Sequence, residues 1–377
     1  MILAPILAIA LAATPPASSL AELRDAVRRA EPGDRVVLRS GTYEGSVYLE
    51  HIHGEEGRPI TISGEDPDDP PVIRGRAEGL HLSASSWVTI ENLAIERASA
   101  NGINIDDAGR TDEPSVGITL RRLHVRDIGP VGNRDAIKLS GLARFTVEDC
   151  TIERWGDAGS GIDMVGCSQG VIRRCVLRHA DTKGSNGIQA KGGSREIRIL
   201  DCRFDHAGRR AINLGGSTGL AFFRPAPRGY EAADLSVEDC TIIGSEASIA
   251  FVGVDGAAVR FCTLYRPAKW ALRILQETRE PGFVPSRNGV FEDNIIVFDR
   301  PAQGLLNIGD ATAPETFRFA RNVWFNSRSP DRSTPLLPVD EHNPIHALDP
   351  RFRDPVAGDF TPDPLGPAAR AGAHAPR

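Results

Sequence analysis

The stretch SGIDMVGCSQGVIRRCVLRHADTKGSNGIQAK, residues 160–191, contains the same short strand pattern twice. Its first and last segments, SGIDMV and NGIQAK, each place a small residue before an isoleucine. Because successive side chains of a β-strand point to opposite faces, we predict that Ile162 and Met164 face inward while Asp163 faces outward. The segment between them is β-rich and leaves no room for a helix. The stretch therefore predicts one coil of stacked β-strands.

The pattern recurs along most of the chain. The residue that anchors the second strand of each coil, such as Cys150 or Cys175, recurs about every 29 residues on average, a spacing typical of one unit of a solenoid. Copies of the first strand lie at 101–106, 135–140, 160–165, 186–191, 210–215, 247–252 and 270–275, with a weaker copy at 303–308. We therefore predict an all-β fold in which parallel strands form a single-stranded β-helix, with coils about 4.8 Å apart.

Five of the six cysteines occupy the anchor position of successive coils. Their backbones are then close enough for disulfides, but their Cα–Cβ bonds run parallel, which disfavours S–S bonding. We favour a stack of buried free thiols and keep disulfides as the alternative. A cysteine-based metal site is not expected, because no Cys-x-x-Cys pair occurs.

The two ends of the chain predict export and capping. Residues 1–18 have an apolar core followed by small residues and resemble a signal peptide, which predicts a secreted or periplasmic protein. Residues 19–340 are assigned to the β-helix, beginning with an amphipathic capping helix, and residues 341–377 to a C-terminal capping tail. No later apolar run is long enough to span a membrane. We expect a monomer.

The amino-acid composition limits the classes of molecule that the protein is expected to bind. The chain has 377 residues, a net charge of −6, 38 glycines and 27 prolines, with aromatic residues at only 6%. These values favour a turn-rich β protein and argue against a nucleic-acid-binding protein. Only four of the 44 basic residues are lysines, and all four fall on the predicted outward side of the first strand or in the loops before it. This placement is a hint of function, although chance remains an alternative reading.

Several segments resemble secreted right-handed parallel β-helix proteins. These are AEPGDRVVLRSGTYEG (30–45), GRPITISG (57–64), PVIRG (71–75) and DPRFRDPVAGDFTPDP (349–364). The chain is most similar to the chondroitinase B and alginate lyase group, polysaccharide lyase family 6. The resemblance implies a groove along the outer face of the first strand, where a lysine acts as base and an arginine one coil later neutralises the substrate carboxylate. Lys191 occupies the lysine position, whereas Asn213 stands where the arginine is expected and Arg210 lies just before it.

The chemistry that fits these residues is β-elimination from a uronic acid in an anionic polysaccharide. The C5 proton is weakly acidic, so its removal needs a base and hydrogen-bond donors or positive charge at the carboxylate. We assign Lys191 as the base, with Arg210 and Asn213 at the carboxylate, because arginine cannot readily act as a base whereas lysine can. The residues predicted to contact substrate are Lys138, Asp163, Lys183, Gln189, His179, His206, Arg273, Trp155 and Trp270.

Two further features bear on the groove. The long insertion at 217–234 is predicted to form a groove wall after the strand at 210–215. Calcium is a possible cofactor through Asp163, Asp157 or Asp135, although no Ca²⁺-loop motif is present. No other metal site is predicted.

Two other functions remain open. A glycoside hydrolase on the same scaffold needs two carboxyl groups about 5–10 Å apart, which Asp135, Asp157 and Asp163 could supply. However, the spacing of Lys138 and Asp163 predicts an ion pair, which keeps a carboxyl group from acting as an acid. The other alternative is a non-catalytic glycan-binding or surface protein.

Overall fold

The computed structural model describes residues 15–180 and 184–374. Between the capping helix and the C-terminal tail, the chain forms a parallel β-helix whose coils contribute strands to three long sheets. We call these sheets A, B and C, and the chain passes through them in the order C, A, B. The predicted all-β solenoid with an N-terminal capping helix is confirmed.

The strands of each sheet pair in parallel with those of the neighbouring coils. Sheet A consists of Arg35–Leu38, Ile60–Gly64, Val88–Glu91, Ser115–Val116, Thr119–Arg121, Leu142–Ala143, Thr146–Glu148, Ser168–Arg173, Ser194–Leu200, Ala232–Glu238, Val254–Arg260, Arg287–Glu292 and Arg318–Ala320. Sheet B consists of Thr42–Glu44, Val72–Arg74, Ala94–Glu96, His124–Arg126, Thr151–Glu153, Val176–Arg178, Arg203–Asp205, Thr241–Ile243, Thr263–Tyr265, Ile295–Phe298, Val323–Asn326 and Ile345–His346. Sheet C consists of Val47–Glu50, Leu80–Ser83, Ile103–Asp106, Ile137–Ser140, Ser160–Val165, Asn186–Lys191, Arg210–Gly215, Ala247–Val252, Trp270–Leu275 and Leu306–Ile308.

The predicted second strand of each coil is in fact two strands separated by a corner. At this corner one residue takes a left-handed conformation, as Asp149 does with φ 56°, and the next residue, here Cys150, points into the core. The same conformation recurs one coil after another, at Asn92, Arg122, Asp149, Arg174, Asp201, Asp239, Phe261, Asp293 and Arg321. The repeated anchor is therefore a corner between sheets A and B.

The stack of free thiols is confirmed. All six cysteines are buried and unpaired, and Cys175 Sγ donates to the Arg173 carbonyl oxygen at 3.4 Å. Further along the same corner, Asn294 Nδ2 donates to Asn322 Oδ1 at 2.9 Å, which continues the column as an asparagine ladder. Small thiol groups and hydrogen-bonded amides therefore fill the narrow column of inward-pointing residues at the corner between sheets A and B.

The inward and outward faces of sheet C follow the predicted alternation. Ile162, Ile188 and Ile212 pair across neighbouring coils and are fully buried. The residues that follow these isoleucines point to the outer face, where Lys138 pairs with Asp163, Asp163 with Gln189, and Gln189 with Asn213. The polar row expected from the sequence therefore exists on one face of one sheet.

The first coil is covered by the helix Leu20–Arg29, in which Leu23 and Val27 are buried. Its N-cap is Ser19, whose hydroxyl oxygen accepts a hydrogen bond from Glu22 N at 3.2 Å. Contact with the β-helix begins earlier, where Ala17 N donates to Val37 O at 2.7 Å. Most of the proposed signal peptide, residues 1–14, lies outside the described residues.

The C-terminal tail packs along the outer face of sheet B. Its antiparallel hairpin, Phe352–Asp354 with Asp359–Pro362, places Phe360 4.6 Å from the ring of Tyr265. The tail therefore covers the side of the coil as well as its end, whereas the sequence predicts only a loose cap. Among the described residues, no helix is long and apolar enough to cross a membrane.

Candidate functional site

A polar cavity of about 330 Å³ lies on the outer face of sheet C. Its floor includes Gln189, Lys191, Arg210 and Asn213, the three predicted catalytic residues and one predicted substrate contact. Its walls come from loops that enter sheet C, at Asn133, Ala158 and Gly184, and from loops that leave it, at Ser217 and Glu277. The structure therefore gathers the centre of the predicted site into one open pocket.

A row of charged side chains from three neighbouring coils lies beside this cavity. Asp163 forms an ion pair with Lys138 Nζ through Oδ2, and its Oδ1 lies 3.6 Å from Lys191 Nζ. Lys138 Nζ also lies 3.5 Å from Asp135 Oδ2. The predicted Lys138–Asp163 pair is thus present, and Asp163 lies between two lysines.

Burial and neighbouring charges shift the pKa values of the side chains in this row. Burial, together with the charge of Asp163, raises the pKa of Asp135 to about 6. Burial acts to lower the pKa of Lys138, but the charges of Asp163 and Asp135 outweigh it and raise that pKa. Lys138 therefore stays a cation between two carboxylates, which suits a structural counter-ion.

The residues named for calcium do not form a suitable site. The ammonium group of Lys138 already contacts both Asp135 and Asp163, where a cation would need those oxygens. Asp157 lies apart and accepts a hydrogen bond from Gly132 N at 2.6 Å. Among the described residues, no group of three or more acidic, histidine or cysteine side chains is arranged to hold a metal ion.

On the coil after Lys191, the side chain of Arg210 is held by two hydrogen-bond partners. Its Nη1 donates to Asn213 Oδ1 at 3.1 Å and its Nη2 to Glu277 Oε1 at 2.5 Å. Asn213 Nδ2 in turn donates to Gly215 O at 3.2 Å. The Arg210 side chain is only 11% exposed, and its two hydrogen bonds fix the plane of the guanidinium group.

Two coils further on, Arg273 and Trp270 extend the same face. The Arg273 guanidinium group lies 4.2 Å from the Trp270 ring centroid, and Lys269 Nζ lies 4.0 Å from it. Burial, with the charges of Arg210 and Arg209, lowers the pKa of Arg273 to about 10. These residues are close to the cavity along the coil axis but do not line it.

Three predicted contacts lie elsewhere. Trp155 is only 1% exposed, because its ring packs into the coil edge and stacks on His179 with centroids 4.3 Å apart. Packing on the coil edge is the alternative that the sequence offers to stacking on a sugar, and it is the arrangement found. Burial lowers the pKa of His179 to about 4, and this ring lies off the outer face of sheet C. His206 pairs with Asp205 Oδ1 at 2.8 Å outside the cavity. Lys183 lies outside the described residues.

The long insertion folds back over earlier coils. Arg224 forms an ion pair with the buried Asp107, more than a hundred residues earlier in the chain, and Arg224 N donates to Gly192 O at 3.1 Å. The buried Glu231 accepts hydrogen bonds from Gly192 N at 3.0 Å and from Thr218 N at 2.8 Å. The insertion therefore covers the edge between sheets C and A beside Lys191, and not only the coil after the strand Arg210–Gly215.

Sequence reasoning missed several residues of the cavity lining, and two of them, Asn186 and Glu277, hold predicted site residues in place. Asn186 Nδ2 donates to Gln189 Oε1 at 2.6 Å, which orients the side-chain amide of Gln189. Glu277 reaches the cavity from a loop after the strand Trp270–Leu275, two coils beyond Arg210. Asn186 was visible as the polar residue opening NGIQAK, but no local pattern marks Glu277.

The described geometry matches a known fold. Residues 72–224 match the family described as Right handed beta helix region. No curated protein matches the chain in sequence. The coil is therefore the right-handed parallel β-helix that the sequence predicts.

Solved structures share this fold at low identity. An alginate lyase from Paenibacillus sp. str. FPU-7 is 17% identical with a TM-score of 0.53, and the match covers 88% of this chain and 97% of that one. Pectate lyase Pel9A is 11% identical with a TM-score of 0.51, covering 81% and 74%. The A-module of the Azotobacter vinelandii mannuronan C-5 epimerase AlgE6 is 12% identical with a TM-score of 0.56, covering 88% and 94%. The likeness shows the fold, and the finer grouping with polysaccharide lyase family 6 stays a prediction.

Proposed function

We propose that the protein is a polysaccharide lyase that cleaves a uronic-acid-containing glycan by β-elimination. The observation that carries this proposal is the single cavity in which Lys191 stands beside Arg210, Asn213 and Gln189 on the outer face of sheet C. Solved structures of this fold include an alginate lyase, a pectate lyase and a mannuronan C-5 epimerase. We infer that the substrate is an anionic polysaccharide bound by a monomer outside the cytoplasm.

The carboxylate of the sugar is assigned to Arg210. Its guanidinium group presents several donors in one plane, and its bonds to Asn213 and Glu277 hold that plane in place. The side-chain amides of Asn213 and Gln189 line the same cavity and supply further donors. Removal of the C5 proton moves negative charge onto this carboxylate, so fixed donors stabilise the transition state more than the ground state.

Lys191 is assigned as the base. Of the charged side chains lining the cavity, the two arginines cannot accept a proton, and Glu277 accepts a hydrogen bond from Arg210 at 2.5 Å. Lys191 Nζ lies 3.6 Å from Asp163 Oδ1, which is longer than a hydrogen bond. When a sugar chain fills the cavity it displaces water, and a lysine ammonium group that loses its hydration releases its proton more readily. The free amine then takes the C5 proton, the bond to the leaving oxygen on C4 breaks as the C4–C5 double bond forms, and the departing oxygen takes a proton from solvent water.

Neighbouring coils offer places for neighbouring sugars. Coils stack about 4.8 Å apart, which is close to the length of one hexose unit in an extended chain. A polymer lying along the coil axis then passes from Lys138 and Asp163 over the cavity towards Trp270 and Arg273. Arg273 is assigned to the carboxylate of a sugar beyond the one being cleaved.

The test is incubation of the protein with alginate, pectate and glycosaminoglycans, followed by ultraviolet absorbance of the unsaturated product. The proposal expects the absorbance to rise with at least one of these polymers. New reducing ends without absorbance would instead indicate the hydrolase. Binding of a polymer without any product would indicate the non-catalytic glycan-binding protein.

The hydrolase has less structural support. Asp135 is the carboxyl group whose pKa is raised, but its side chain is only 4% exposed and its Oδ1 accepts a hydrogen bond from Ser160 N at 2.7 Å. Asp163 is held by Lys138 and Lys191. Neither carboxyl group is free to donate a proton to a glycosidic oxygen.

A further inference from the structure

A second cavity, of about 700 Å³, lies on the other side of the loops that enter sheet C. Its floor is apolar and includes the buried residues Ala98, Ile128 and Trp155. The loops that place Asn133 and Ala158 in the first cavity place Arg134 and Trp155 in the second. The two cavities therefore share a wall and are separate sites.

The rim of this second cavity carries unbalanced positive charge. Arg154 is neutralised by Asp127, to which it donates from Nε at 2.6 Å and from Nη2 at 3.1 Å. Arg97 and Arg134 also line the cavity and are exposed, and neither forms an ion pair within the described residues. In a protein with a net charge of −6, this pocket is a local attractor for anions.

An apolar part of the rim is suited to the ring of a sugar. At the rim Val131 is 74% exposed next to Pro130, which gives an apolar surface for the face of a pyranose ring.

We propose that this second cavity binds a carboxylate-bearing sugar unit of an acidic glycan, with Arg97 and Arg134 contacting the carboxylate. Guanidinium groups bind planar carboxylates through paired hydrogen bonds, and the apolar side chains of Pro130 and Val131 pack against the ring. The site would hold the protein on the polymer while the groove of sheet C acts on another part of it. The proposal rests on the acidic glycan of the proposed function, but not on the lyase chemistry, because it concerns binding alone.

The indole N–H signals of the protein can report the two sites separately. The chain has four tryptophans, and Trp155 lies in the second cavity whereas Trp270 lies beside the groove. The Lys191→Ala variant, labelled with nitrogen-15, is titrated with trimannuronate, triguluronate and trigalacturonate, with cellotriose as the neutral control. Assigned indole signals give one dissociation constant for each cavity.

The proposal expects at least one acidic trisaccharide to shift the Trp155 signal, while cellotriose does not. Adding Arg97→Ala and Arg134→Ala is expected to weaken that binding at least tenfold and to leave the response of Trp270 unchanged. A matched control removes two arginines of the capping helix, Arg28→Ala and Arg29→Ala, and is expected to bind as before. No shift at Trp155 with any acidic trisaccharide, or equal binding after loss of Arg97 and Arg134, would overturn the proposal. Loss of the Trp270 response alone would count against the groove and not against this second site.

Discussion

Lys191 Nζ lies 3.6 Å from Asp163 Oδ1, a carboxylate oxygen on the neighbouring coil of sheet C. The other oxygen of Asp163 pairs with Lys138, so one buried aspartate holds two of the four lysines in the chain. Asp163 is 2% exposed, which makes this a buried network in which each charge depends on the others. The position of the proposed base is therefore set by an ion pair with an adjacent coil.

Replacing Asp163 is expected to destabilise the protein. The Asp163→Asn variant leaves Lys138 and Lys191 without their shared counter-charge, and loss of one partner in a buried pair costs about 3 kcal/mol or more. Urea unfolding at neutral pH measures the difference. The control is Asp149→Asn, which breaks a surface pair with Arg174 and is expected to cost less than about 1 kcal/mol. Equal, small changes in the free energy of unfolding for both variants would show that the network contributes little to stability.

Replacing Lys191 is expected to abolish cleavage. A positioned general base contributes about 10²–10⁴-fold to rate, so Lys191→Ala is expected to lose at least that much in kcat. Lys191→Arg keeps the positive charge but cannot readily act as a base, and is expected to be as inactive as the alanine variant. The control is Lys269→Ala, which changes a lysine over Trp270 and is expected to keep most activity. Product absorbance that survives in Lys191→Ala would remove this residue from the mechanism.

Replacing Arg210 is expected to reduce stabilisation of the developing charge. Loss of one fixed donor at such a position lowers kcat by about 10²–10³-fold, and Arg210→Ala is expected to fall in that range. Arg210→Lys restores charge without the planar pair of donors, so partial recovery is expected. The control Arg174→Ala removes a half-exposed arginine on another face. Steady-state kinetics on the cleaved polymer make the comparison, and unchanged kcat in Arg210→Ala would show that another group binds the carboxylate.

Stability is expected to depend on pH through His81, at the N-terminal end of the outer row of sheet C. Hydrogen bonds to Asp106 at 2.7 Å and Glu78 at 2.9 Å raise the pKa of His81 to about 9, from an ordinary value of 6.5. A raised histidine pKa stabilises the folded state fully below pH 6.5, and this stabilisation is lost as the pH rises through 9. For a side chain that is partly exposed we expect about 2 kcal/mol.

The measurement is urea unfolding of the wild type and His81→Gln at several values between pH 6 and pH 10. The wild type is expected to be the more stable at the acidic end, and the difference is expected to shrink towards the alkaline end. A difference that stays constant with pH would mean that proton binding at His81 is not coupled to folding.

Much of the fold was predictable because the structural repeat produces short-range patterns in the sequence. The alternation in SGIDMV fixed which side of sheet C Asp163 faces, and the column of cysteines marked one position per coil. The corner before Cys150 was not predicted, because aspartate suits a left-handed conformation but the equivalent residue of other coils is Arg174 or Phe261, which carry no such signal. Two strands were therefore read as one.

The site was predictable only where strand residues supply it. Lys191, Gln189 and Asn213 follow from register, since residues one coil apart pair directly. Glu277 and the ion pair of Arg224 with Asp107 depend on how loops fold back across several coils, which no local pattern specifies. The two readings of Trp155, packing on the coil edge or stacking on a sugar, stay open in the sequence for a related reason, because whether a loop tryptophan packs inward or faces solvent depends on its neighbours in space.

The central claim is that bond cleavage proceeds by elimination, without adding water across the glycosidic bond. The most direct measurement is mass spectrometry of the products formed from a cleaved polyuronate oligomer in water enriched in oxygen-18. The account predicts products whose masses sum to that of the substrate, with an unsaturated non-reducing end and no oxygen-18 introduced at cleavage. Products heavier by one water molecule, with oxygen-18 incorporated at cleavage, would contradict it.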